Sequence, residues 1–144
     1  MESIHENVTK VEVKARKRCR DRIDMLQSRA ELLTGKDRAL MTMYLKNGNT
    51  FYQMARLIGV NEATVARRIY KVIKRLTDSE YITCLRNRDK FTEEEMAIAR
   101  DYFIRGISIR KIARSRKLSY YRVRESLKKI QSLVKVIKSE EKSI

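Results

Sequence analysis

Apolar side chains recur at helical spacing in three long stretches of the chain. Val65, Ile69, Val72 and Leu76 stand at i, i+4, i+7 and i+11, which predicts one buried stripe on a helix from Glu62 to about Leu76. Val123, Leu127, Ile130 and Val134 repeat that spacing and predict a last helix to about Lys138, with Ser139 to Ile144 fraying. Val11, Ala15, Cys19, Ile23, Leu26, Ala30 and Leu33 predict a further helix from about Lys10 to Leu33, with Lys14, Arg16, Lys17, Arg18, Arg20 and Arg22 on its other surface.

Punctuation between these stripes follows a repeat. Shifting the chain by 58 residues lays Leu33–Leu76 on Phe91–Val134 without a gap. Identical pairs are Thr34 with Thr92, Ala39 with Ala97, Tyr44 with Tyr102 and Gly48 with Gly106, then Ala55 with Ala113, Arg56 with Arg114, Val65 with Val123 and Lys71 with Lys129. These fall at caps, turn glycines and inward-facing positions. Each copy reads as three helices. In the first, Thr34 caps a helix from about Gly35 to Asn47, Gly48 closes it, Thr50 caps Phe51–Ile58, Gly59 turns, and Asn61 caps the third helix. In the second, Thr92 caps a helix opened by Glu93, Glu94 and Glu95, whose charges suit the positive end of the helix dipole. Gly106 closes that helix, Ser108 caps Ile109 to about Lys117, and Ser119 caps the last helix. Tyr44 and Tyr102 are read as structural. The implied fold is all-α, two tandem three-helix units preceded by a long basic amphipathic helix. Its divisions are 1–33 (basic helix), 34–76 (first unit), 77–90 (connector), 91–138 (second unit) and 139–144 (tail). The connector contains Tyr81, Ile82 and Leu85 and reads as a short helix packing on one or both units.

Composition sharpens this. There is no proline and there are four glycines in 144 residues, too few turn residues for an all-β chain. The formal net charge is +16, which opposes folding by self-repulsion and favours a polyanionic partner. No apolar run approaches the roughly 18–20 residues of a spanning helix, and the first residues lack the apolar stretch of a secretory signal. A cytoplasmic, nucleoid-associated setting without a membrane partner is expected. Two cysteines 65 positions apart and one histidine cannot supply a four-ligand zinc site, so no metal or other cofactor is expected.

A helix-turn-helix needs a small residue in its second helix, a turn residue four positions on, and a buried aliphatic residue six positions after that. Ala55, Gly59 and Val65 meet all three demands; Ala113 and Val123 meet two, with Arg116 and Lys117 where Ile58 and Gly59 stand in the first copy. That substitution predicts a looser or reshaped second turn, or a second helix that packs less deeply. Leu33-Thr34, Tyr44, Gly48, Thr50, Gln53-Met54-Ala55, Ile58-Gly59-Val60 and Val65 together resemble region four of bacterial sigma factors and the related helix-turn-helix regulators. The likeness covers about 44 residues closely and a second 44 loosely. It implies a DNA-binding unit whose last helix enters the major groove. The aromatic-rich promoter-melting region of such factors has no counterpart, so a complete sigma factor is not expected.

The start of a recognition helix meets base edges. Base contacts are therefore assigned to Glu62, Thr64 and Arg67, and to Tyr121, Arg122 and Glu125. Arginine can grip guanine through two hydrogen bonds, and glutamate accepts one from the cytosine amino group. Phosphate contacts are assigned to Arg68, Lys71, Lys74, Arg124, Lys128 and Lys129 on the third helices, and to Arg56, Arg110, Lys111 and Arg114 on the second helices.

The function these features favour is sequence-selective binding of double-stranded DNA, as a transcriptional regulator reading two dissimilar half-sites. The connector would span about 46–50 Å extended but only about 21 Å as a helix, against about 34 Å between successive major grooves on one face. The alternatives are docking on RNA polymerase as a sigma-like module, homodimerisation through the N-terminal helix, or nonspecific architectural binding of nucleic acid. RNA binding is disfavoured, because neither an aromatic-bearing sheet nor a glycine-rich RNA loop is recognisable. No catalytic constellation is apparent: the tyrosines at 120 and 121 lie among arginines, but a recombinase would need a larger catalytic domain.

Overall fold

The computed structural model describes residues 2–143, and side chains from Lys10 to Ser143. Eight α-helices follow one another: α1 (Glu2–Ala30), α2 (Gly35–Leu45), α3 (Phe51–Ile58), α4 (Glu62–Asp78), α5 (Glu80–Arg86), α6 (Glu93–Ala99), α7 (Ile109–Arg116) and α8 (Tyr120–Lys142). A 3-10 turn at Arg88–Lys90 leads into α6, and a π turn at Arg100–Ile104 continues it. No strand occurs among the described residues, and no helix among them is long and apolar enough to cross a membrane.

Local capping chemistry explains most of the boundaries. Thr50 and Thr92 each accept from the backbone N–H three residues on, at 3.1 Å, while Gln53 and Glu95 reach back to the threonine N–H. These are reciprocal capping boxes that satisfy donors the helix leaves open. Asn61, Ser108 and Ser119 cap α4, α7 and α8 more simply, each side chain accepting from the backbone N–H three residues on with no reciprocal bond. Thr34 does not: it precedes α2 without a side-chain cap bond, and the next residue, Gly35, is left-handed at φ 59°.

Main-chain hydrogen bonds recur at the 58-residue offset. Asn49 N–H to Met43 O and Ile107 N–H to Asp101 O are both 3.0 Å; Val65 N–H to Asn61 O and Val123 N–H to Ser119 O are both 3.2 Å. The second interhelical turn was expected to be looser, and it is not. Lys117 adopts φ 56°, ψ 43°, the left-handed state Gly59 adopts at φ 74°, ψ 34°. Lys117 N–H bonds Ala113 O as Gly59 N–H bonds Ala55 O. The backbone bonds hold the geometry, and a lysine can adopt it at a cost of roughly 1–2 kcal/mol.

The expected stripes on α4 and α8 face inward. Val65, Ile69, Val72 and Leu76 are buried, as are Val123, Leu127, Ile130 and Val134. Ile137 is buried too, and α8 runs on to Lys142, so residues 139–142 are helical rather than frayed. All these side chains belong to one continuous core, which also takes in Tyr81, Ile82 and Cys84 of α5. Burial of those three residues makes the 77–90 segment a packed element, in contact with α4, α6 and α8, and not an extensible tether. Polar links cross the body as well: Arg75 Nη1 bonds Asp37 Oδ2 at 3.1 Å and Ile104 O at 3.2 Å, and Arg105 Nε bonds Leu32 O at 2.9 Å.

The N-terminal stripe lies on a helix, as its spacing predicts, but most of its length is uncovered. Only its last turns reach the body: Leu26 and Leu33 are buried and Ala30 is partly buried. Val11 is 63% exposed and Ile23 44%, and every residue from Lys10 to Asp24 is exposed. The period of a helix reports which residues share a face; it does not report whether anything covers that face.

Candidate nucleic-acid interface

The body turns the outward sides of α4 and α8 to solvent because their inward sides fill the core. On α4, Glu62, Arg67, Arg68, Lys71 and Lys74 are exposed. None of these residues takes part in an ion pair among the described residues. Tyr70 lies beside them, 60% exposed, with its ring edge-to-face against Phe51 at 5.9 Å. Phe51 in turn stacks on Tyr44 at 5.5 Å, which keeps Tyr44 structural. Thr64 is less available than expected. It is half-buried, and both its N–H and its hydroxyl donate to Asn61 Oδ1 at 2.8 Å, leaving only hydroxyl lone pairs for a ligand.

Flanking α4, the short α3 presents Arg56. Its Nη1 donates to Tyr52 Oη at 2.8 Å and its guanidinium lies 5.7 Å from the Tyr52 ring centroid, so the cation is oriented before any partner arrives. The counterpart helix α7 presents Arg110, Lys111 and Arg114, all exposed.

The face of α8 is built differently. Tyr121, Arg122, Arg124, Glu125, Lys128 and Lys129 are all exposed, but several are already occupied. Arg122 Nη2 bonds Glu94 Oε2 at 2.9 Å, Lys129 Nζ lies 3.2 Å from Glu95 Oε2, and Lys128 Nζ lies 3.6 Å from Glu125 Oε1. The groove between the starts of α6 and α8 thus carries both signs of charge. Burial acts to raise the Glu95 carboxyl; hydrogen bonding from the Thr92 N–H and the pairing with Lys129 outweigh it, so the group is held below its ordinary value.

The sequence places Glu94 and Glu95 at the start of α6 as dipole compensation and does not directly reveal their pairing with Arg122 and Lys129 of α8. A signal was present in the repeat. At the 58-residue offset Glu94 falls on Lys36, so an acid replaces a base beside the second outward face only. The six residues assigned to base contacts therefore lie on two faces of unlike character, three on an unpaired basic face and three on a self-paired one.

Both cysteines are free thiols, Cys19 exposed and Cys84 buried. Burial, followed by the nearby Glu80 charge, pushes the Cys84 thiol up to about 11. No known protein family, curated protein or solved structure matches the chain.

Proposed function

We propose that this chain binds double-stranded DNA as a transcriptional regulator, with α3–α4 and α7–α8 as two helix-turn-helix units of the kind that region four of sigma factors exemplifies. The observation that carries the reading is the outward face of α4. Arg67, Arg68, Lys71 and Lys74 lie along it without acidic partners, and the adjacent Arg56 is pre-oriented. Arg67 and Glu62, near the helix start, read base edges in the major groove. Lys71 and Lys74, nearer its end, hold phosphates, as do Arg56 and Arg68.

The second unit contributes unequally. A base edge approaching Arg122 must displace Glu94, and a phosphate approaching Lys129 must displace Glu95, so α8 adds less affinity than α4. Tyr121, Arg122 and Glu125 remain its base-reading candidates, with Arg124, Lys128 and Lys129 toward phosphate and Arg110, Lys111 and Arg114 on α7.

The test is selection from a random duplex library at two salt concentrations. A bipartite enriched motif, degraded in one half by Arg67→Ala and in the other by Arg122→Ala, is the expected result. No enrichment, with affinity collapsing as salt rises, would leave only charge-driven binding and sink the regulator reading. The mixed-charge groove of α6 and α8 supports a second reading, docking on RNA polymerase. Retention of polymerase by a chain that does not bind free duplex would favour it.

A further inference from the structure

The segment of α1 from Lys10 to Asp24 leaves the body as a bare helix. All of its residues are exposed. Its fifteen residues rise about 22 Å. They carry seven basic side chains against Glu12, Asp21 and Asp24, a surplus of four positive charges. None of these basic residues takes part in an ion pair among the described residues.

Its root is fixed. Leu26 is buried in the core, and Arg29 Nη1 donates to Leu76 O at 2.7 Å, at the C-terminal part of α4. The arm therefore starts from the same end of α4 that bears Lys71 and Lys74.

Chemistry selects the occupant. A second copy of this helix would bring two surpluses of like charge together along a stripe of only Val11, Ala15, Cys19 and Ile23. A membrane-surface helix buries Trp, Phe and Leu on its inner face, and the segment between Lys10 and Asp24 has none of the three and only Val11, Val13 and Ile23 as exposed large apolar residues. Duplex DNA carries one negative charge per about 1.7 Å of its axis, about 13 over a rod of this length, enough phosphates of opposite sign to pair every basic side chain of the arm.

We infer that the Lys10–Asp24 part of α1 is a phosphate-binding arm that tracks the DNA backbone beside the site held by α4, extending the footprint without reading bases. The inference rests on the proposed DNA binding. The arm adds salt-dependent affinity and leaves sequence preference unchanged.

The test uses the full chain with Lys14, Arg16, Lys17 and Arg18 all changed to Gln. Its affinity for the selected duplex is measured between about 50 and 200 mM salt. Each lost phosphate contact lowers the slope of log K against log salt by about 0.9. The expected result is a slope reduced by about 2–3, an unchanged enriched motif and an unchanged melting temperature. Should the fourfold variant melt early, the four single Gln variants replace it, each expected to lower the slope by up to about 0.9. An unchanged slope in a variant that still binds overturns the arm alone. Failure of the unsubstituted chain to bind duplex overturns the functional reading and the arm with it. Capture on phosphatidylserine vesicles, or a dimer dissociated by Ile23→Glu, also overturns the arm if the slope on DNA is unchanged.

Discussion

Arg116 Nε donates to Asp101 Oδ2 at 2.6 Å, and the other oxygen of the same carboxylate accepts from Arg105 Nη1 at 2.9 Å. Asp101 is 2% exposed and ties the end of α7 to the π turn. The hydrogen bond to Asp101 raises the Arg116 guanidinium, against the opposing effect of burial. In the first repeat, Met43 and Ile58 stand at the places of Asp101 and Arg116, so an ion pair stands where the first repeat has two apolar residues.

Removing one member of such a cluster costs more than replacing it whole. Asp101→Ala is expected to lose about 3 kcal/mol in urea unfolding, because it strands two guanidinium groups. The double variant Asp101→Met with Arg116→Ile, which leaves only Arg105 without its carboxylate, should lose less than Asp101→Ala. A larger loss in the double variant would show that the ionic contact is not the source of the effect.

The left-handed turns give a reciprocal pair of changes. Lys117→Gly should stabilise the chain by about 0.5–1 kcal/mol, since glycine adopts that conformation without a Cβ penalty. Gly59→Ala should destabilise by about 1 kcal/mol. No atom lies within 4 Å of an added Cβ there, so the cost is conformational and not steric. Thermal melting of both variants checks the signs.

Glu94 restrains Arg122 through a pair open to solvent, worth at most about 1 kcal/mol. Glu94→Gln should therefore raise affinity for a selected duplex by about threefold, and up to about fivefold. The gain should vanish when Arg122→Ala is already present. An equal gain in both backgrounds would mean a general charge effect.

Glu95 links stability to pH. Its folded value is depressed, so its contribution is present above the ordinary carboxylate value near 4.5 and is lost as pH falls through the folded value. Wild type should therefore melt higher than Glu95→Gln above about pH 5, with the two curves converging as pH falls below the ordinary carboxylate value. Parallel curves would count against the Lys129 and Thr92 contacts as the cause.

Thiol chemistry reads the fold directly. At pH 8 the native chain should take one equivalent of alkylating reagent, at Cys19, because Cys84 is fully buried and its thiol is pushed up to about 11. Denaturant should expose the second. Rapid labelling of both in the native chain would show that α5 does not stay packed.

What the sequence by itself determined is local. The caps at Thr50, Asn61, Thr92, Ser108 and Ser119, the turn glycines Gly48, Gly59 and Gly106 and the stripes of α4 and α8 depend on residues within about one or two helical turns, and they are legible as spacing. The basic outward face of α4 follows from its buried stripe by geometry alone. The unlike character of the α8 face does not, since Glu94 lies 28 residues from Arg122 and their meeting depends on how α6 packs on α8. The Asp101 cluster, the burial of α5 and the bare length of α1 are of the same kind. Helical periodicity fixes which side chains share a face at a cost paid within the helix; which of those faces is covered depends on contacts between segments distant in the chain, and only the tertiary structure decided it.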